Sequence, residues 1–212
     1  MSQKLYNMDI RLRFKSRKKL NVGGSYSVKS RADIPFQRIT MGGITYFYIP
    51  GSTFKGVLRT ALIKISGLLG YDIHSWRVNP DVLTELDDIV VRLFGGPHDK
   101  PSKIYVKPAY IPCTSKTLTH VSIDDKLGIS KKGALYTVEY IPIGIEFGTT
   151  IYARGISIEE ARALYMAIAE LRFERIGKAG ILDVWIVRDE SRIPGEIAQD
   201  EVIGMVLEVL GI

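Results

Sequence analysis

The 212-residue chain has one cysteine, Cys113, and three scattered histidines, His74, His98 and His120. One cysteine excludes a disulfide within the chain, and no Cys/His grouping has the spacing of a zinc site. No apolar run approaches the roughly 20 residues that cross a bilayer. The amino-terminal residues alternate apolar and charged from Lys4 to Lys15, unlike a signal peptide. A soluble, cytoplasmic protein with no membrane partner is therefore expected.

Acidic residues are scarce in one region only. Residues 1–60 hold twelve of the 29 Lys and Arg but only two of the 23 acids, Asp9 and Asp33. The rest of the chain carries a small acidic excess. Such asymmetry fits a polyanion partner for the basic part. It fits equally a solvated basic surface. Hydrophobic residues make up 46% and charged residues 25% of the chain, which is enough apolar material for a substantial core.

Periodicity then places the elements. Lys4 to Phe14 alternates as a strand, with Arg11, Arg13 and Lys15 on one face. Arg17-Lys18-Lys19 and the turn Gly23-Gly24 follow. Residues 25–40 read as a loop excursion and Ile44–Ile49 as a short strand. Pro50-Gly51-Ser52 opens a helix whose apolar positions are Phe54, Val57, Leu58, Ala61, Leu62 and Ile65. A second helix is expected from Pro80 to Leu93, a strand within Lys103–Ile111, and irregular structure over 113–135. Strands at Tyr136–Ile141 and Ile145–Ala153 precede the clearest helix. There Ser157, three residues before Glu160, forms a capping-box pattern. A strand at Ile181–Val187 and a short helix near 199–210 complete the chain. This order predicts an α+β, ferredoxin-like (RRM-like) βαββαβ core in a single domain, with insertions at about 16–43 and 113–145.

Four constellations could carry chemistry. In the segment Tyr48 to Arg59, Pro50 and Gly51 make a sharp strand-to-helix turn and Ser52 is a candidate N-cap. Free N–H groups at a helix start attract anions. Lys55 and Arg59 lie four apart on one face, where like charges cost roughly 0.2–0.5 kcal/mol unless an anion sits between them. Gly56 inside the helix suggests close packing against the backbone. An ordinary amphipathic helix with a solvated basic face remains the alternative. Gly177-Lys178-Ala179-Gly180 is either a nest of N–H donors or a plain helix stop. Asp33 either helps hold a divalent ion beside a phosphate or pairs with a neighbouring cation. His120 with Asp124 is either two metal ligands lacking a third, or the adjacent acids Asp124-Asp125 are simply a solvated turn.

Together these motifs resemble the RAMP superfamily, RNA-binding proteins of CRISPR systems, and within it the backbone (Csm-type) subunit of type III effector complexes. Ile49-Pro50-Gly51-Ser52-Thr53-Phe54-Lys55-Gly56-Val57-Leu58-Arg59 is similar to that family's Ile-Pro-Gly-Ser-Ser-Leu-Lys-Gly-x-Leu-Arg. Ala32-Asp33-Ile34-Pro35 resembles its Ala-x-Asp-x-Pro region, and Ser122–Lys126 its Thr-Ile-Asp-Arg-x-Thr segment, with Asp125 in place of the basic residue. Gly133 to Phe147 is similar to the strand pair that follows. The resemblance spans roughly residues 5–190. It implies a subunit that stacks with copies of itself or paralogues along CRISPR RNA, beside other effector subunits, in antiviral defence. It also implies a thumb-like hairpin and cleavage of bound target RNA as an endonuclease, through a catalytic Asp33 holding Mg²⁺ or Mn²⁺. RNA-binding candidates are Arg17, Lys18, Lys19, Lys29, Arg31, Ser52, Thr53, Lys55, Arg59, Lys126 and Lys178. A non-cleaving structural paralogue and a CRISPR-RNA processing endoribonuclease are the rival readings.

Overall fold

A computed structural model describes residues 4–23, 30, 32–73, 88–96, 101–123 and 130–212. Lys29, Arg31, Asp124, Asp125, Lys126, His74 and His98 lie outside them, as does most of the expected second helix. Strand β1 (Tyr6–Ser16) alternates as its sequence does, burying Met8, Ile10, Leu12 and Phe14. It pairs antiparallel with β8 (Glu146–Ile156) on one side and β9 (Leu182–Ile186) on the other. β4 (Ile104–Val106) adds to the far edge of β8, giving the order β4-β8-β1-β9. This is the ferredoxin-like arrangement, and the fold is α+β.

Two helices cover the apolar face. Helix α1 (Gly51–Ile65) buries Phe54, Leu58, Ala61, Leu62 and Ile65. Phe54 stacks on Phe14 of β1 with ring centroids 5.0 Å apart. Helix α3 (Ile158–Glu170) starts at a complete capping box between Ser157 and Glu160. The buried Glu160 carboxylate also accepts from Lys103 Nζ at 2.7 Å, so its charge is paired. Helix α5 (Glu201–Leu210) is capped by Asp200, which a bidentate Arg162 holds from α3 at 2.7–3.1 Å. A short helix, α4 (Gly195–Ala198), and α2 (Ile89–Phe94) fill the remaining edges.

The region of the first expected insertion contains more strand than its sequence suggests. β2 (Arg38–Met41) and β3 (Ile44–Ile49) form a hairpin over Gly42-Gly43, both with positive φ (55° and 80°) as such two-residue turns require. The expected loop over 25–40 thus ends in a strand that four residues were too few to reveal. The expected strand at Lys103–Ile111 is two, because Lys107-Pro108 separates β4 from β5 (Ala109–Ile111). β5 leaves β8 and joins β3 instead.

The largest correction concerns residues 113–135. β6 (Lys116–Ile123) and β7 (Ser130–Tyr140) pair antiparallel as a two-stranded ribbon. The ribbon leaves both faces partly exposed, so no in-out alternation marks it in the sequence. Its threonines and aromatics are strand formers all the same.

Candidate nucleic-acid interface

The start of α1 is set by a glycine with no room for a side chain. A Cβ on Gly51 would lie 1.9 Å from the carbonyl oxygen of Val106 in β4. Gly56, where close packing was expected, has nothing within 4 Å of its would-be Cβ. The close approach therefore belongs to Gly51, and Gly56 opens the helix surface outward. Ser52, Gly56 and Thr60 form one exposed line at helical spacing.

Ser52 does not cap the helix. The N-cap position is Pro50, which has no side-chain donor or acceptor, and no acidic residue lies in the first turn. Thr53 N–H turns back to Pro50 O at 3.0 Å. Ser52 is exposed one position inside the start and Thr53 is half-buried. Phe54 N–H also reaches Pro50 O at 3.4 Å, so only the Gly51 and Ser52 amides of the first turn lack an acceptor among the described residues. Lys55 is half-buried and its pKa is lowered, first by burial and then by the neighbouring Arg59 charge. Neither cation has an acidic partner among the described residues. An uncapped helix start beside two cations without an acidic partner has the chemistry that attracts an anion.

Asp33 is exposed and tied to β7. Thr137 N–H and Thr137 Oγ1–H both donate to Asp33 Oδ2, at 2.6 and 2.8 Å. Asp33 N–H returns a bond to Thr137 Oγ1 at 3.0 Å. These bonds, the backbone one first, hold its carboxyl below the usual range, so it is ionised at neutral pH. No ion pair forms with a neighbouring cation among the described residues. Oδ1 accepts no hydrogen bond from another side chain or backbone group among the described residues. One free carboxylate oxygen fits a Mg²⁺ ion that takes its remaining ligands from water and phosphate. No cluster of three His, Cys, Asp or Glu exists among the described residues, so a closed all-protein cage is not available there.

Beside Asp33 the loop is clamped by a residue that no motif pointed to. Glu139 is buried and accepts from Phe36 N–H at 2.8 Å, from Arg38 and from Ser115. Burial raises its pKa, but the Ser115, Phe36 and Arg38 contacts outweigh this and the net shift is downward. Glu139 N–H donates to Ile34 O at 2.9 Å, and Ile34 N–H donates to Thr137 O at 3.0 Å. The Asp33 loop is thereby fastened to the edge of the ribbon by long-range bonds that the sequence does not announce.

The other candidates are more dispersed. Arg17 lies 3.7 Å from Asp183, and Lys18 is exposed. Lys19 sits over the Tyr140 ring, 5.2 Å from its centroid. On β1, Arg11 and Arg13 meet Glu190 and Lys15 meets Glu146, so that basic stripe is largely neutralised. The loop Gly177–Gly180 is not a free nest. Lys178 N–H is spent on Asn21 O at 3.1 Å, and Gly180 N–H on Ile176 O at 3.1 Å. Gly177 is needed there for its positive φ (65°) and because a Cβ would lie 2.0 Å from Asn21 O. His120 stacks on Tyr136 and is not part of a metal cluster among the described residues.

The four-stranded antiparallel sheet covered by α1 and α3 defines the class: an α+β protein with a ferredoxin-like core. A family model described as the RAMP superfamily matches residues 38–181, well over half of the chain. The chain belongs to the RAMP superfamily, which is associated with CRISPR-related RNA-binding proteins. No curated protein matches it. No helix among the described residues is long and apolar enough to cross a membrane, which says nothing of strand-built pores.

Proposed function

We propose that this chain is an RNA-binding backbone subunit of a type III (Csm-type) CRISPR effector complex, acting in the cytoplasm. The observation that carries the reading is the α1 start. Its uncapped amides, with unpaired Lys55 and Arg59 and the open surface at Gly56, suit a phosphate that comes close to the helix. Such contacts position RNA and carry no base information. Guide–target pairing supplies specificity in RNA-guided systems. Lys18, Lys19 and Lys178, exposed on the described part of the chain, are further candidates for phosphate contacts. Copies of the chain or of paralogues, with other effector subunits, are its partners along CRISPR RNA and target RNA.

A Lys55→Ala, Arg59→Ala double variant tests the site. It is expected to weaken single-stranded RNA binding about tenfold or more at moderate salt, with a smaller salt dependence than the parent. Unchanged affinity contradicts the assignment.

Target cleavage through Asp33 is the second part of the proposal. Asp33 would offer Oδ1 to a Mg²⁺ (or Mn²⁺) ion while Thr137 fixes the carboxylate through Oδ2. A bound ion would polarise a phosphodiester and help activate a 2′-hydroxyl or water. The residues' own part is to hold one ionised oxygen at a fixed place on the ribbon edge. In the complex with guide RNA and Mg²⁺, Asp33→Ala is expected to abolish target cleavage; undiminished cleavage would overturn the role. A non-cleaving structural paralogue is the rival reading. It is favoured by the engagement of Asp33 Oδ2 with Thr137, which gives the residue a purely structural task.

A further inference from the structure

Helix α5 is apolar on both sides. One side, with Ile203, Val206, Leu207 and Leu210, is buried where the helix packs against α3 and β9. The other side carries Val202, Met205 and Val209 at i, i+3 and i+7, with Met205 55% and Val209 69% exposed. A helix that is apolar all round is ordinarily covered all round. Glu201 and Glu208 run along one edge of the exposed stripe, and α5 contains no cation. Residues 187–212 as a whole hold six acids and two arginines. The stripe therefore suits a cover that is both apolar and basic. A second α5 laid against the first would bring glutamates together with nothing to neutralise them.

A surface of that kind stands elsewhere on the same chain. Leu68, in the turn after α1, and Phe173, just after α3, are 89% and 75% exposed. Their two segments are joined where Lys64 Nζ donates to the buried Glu174 carboxylate at 2.6 and 2.8 Å. Arg172 and Arg175 lie on either side of Phe173 in the chain and form no ion pair with a described residue. Apolar side chains exposed together and rimmed by charge mark protein contacts. Phe, Met and Arg are also the residues in which such contacts are enriched.

We propose that α5 of one copy docks on the Leu68–Phe173 patch of the next, head to tail. Val202, Met205 and Val209 cover Leu68 and Phe173, and Glu201 and Glu208 face Arg172 and Arg175. Charge complementarity selects the occupant. The same chain carries an acidic apolar helix and a basic apolar patch, whereas α5 repels another α5. The two surfaces differ, so the contact does not close on a pair, and its repetition extends a row of copies. The proposal rests on the backbone-subunit reading and gives it a pair of surfaces. Neither surface includes Lys55, Arg59 or Asp33, so the contact forms without RNA.

Analytical ultracentrifugation of the full chain over a concentration series, without RNA, tests it. The parent is expected to gain mass beyond two chains as concentration rises. Two double variants reverse the charges, Glu201→Lys with Glu208→Lys and Arg172→Glu with Arg175→Glu. Each is expected to associate about tenfold or more weakly than the parent, because like charges then meet. An equimolar mixture of the two is expected to regain the parent's association, as is one chain carrying all four changes, and this recovery also shows that the variants fold. A parent that stays at one chain overturns the proposal. So does a mass that stops at two chains, the sign of an isologous pair, or association that both double variants retain. Loss without recovery in the mixture would assign α5 to another surface and overturn the proposal too. If the contact fails while copies still assemble along single-stranded RNA, the backbone reading stands. If they do not assemble there either, both fall.

Discussion

Glu139 shows how one buried charge organises the neighbourhood of a candidate site. Its side chain gathers Arg38, Ser115 and the Phe36 amide, and its backbone joins Asn21 and Ile34. Arg38 is itself largely buried, so removing the acid takes a charge partner from a cation held mostly away from water. Glu139→Ala should cost about 3–5 kcal/mol of stability in urea denaturation, the range for breaking one side of a buried ion pair. The pH dependence has a definite sign. A folded pKa below the unfolded value of about 4.3 gives a contribution that is fully present above that value. It is lost as pH falls through the lower, folded value. Glu139→Gln should therefore flatten the fall in stability below about pH 4.3; an unchanged profile would show that the clamp is not ionic.

At the scale of elements, the two glycines of α1 make opposite predictions. Gly51→Ala places a methyl group against Val106 O and should destabilise the helix–strand junction. Gly56→Ala enters open space in a helix interior and should stabilise by about 1 kcal/mol. If RNA approaches at Gly56, the same alanine should also weaken RNA binding. Thermal unfolding and RNA affinity of both variants separate these effects, and equal destabilisation would contradict the geometry. α1 and α3 were legible in the sequence because each shows a 3.6-residue apolar stripe, and α3 also carries its capping box. β1 was legible from its two-residue alternation. The β6–β7 pairing was not, since a ribbon partly exposed on both faces has no such pattern. The break between β4 and β5 was not read either, although Pro108 marks it.

Over the whole molecule, the sequence located the turn into α1 better than it described it. The segment Ile49–Arg59 stood out by its motif, and Pro50 and Gly51 make the expected turn, but Ser52 is not the cap and the close approach belongs to Gly51 rather than Gly56. Asn21 and Glu139 escaped notice because they meet each other, and Glu139 meets Phe36 and Arg38, across more than a hundred residues. Asp33 and Thr137 are 104 positions apart, and Asn21 and Glu139 118. What emerges is a ferredoxin-like core of the RAMP superfamily with the cations Lys55 and Arg59 near the start of α1, a fixed carboxylate on one side of the ribbon and a cavity lined by aromatics on the other. A backbone subunit must add copies as its RNA lengthens. The mass of the protein–RNA complex, measured by light scattering over a series of single-stranded RNA lengths, tests this most directly. The account predicts a mass that rises in steps of one chain as RNA is extended. A mass that stays at one chain, with or without RNA, would contradict it.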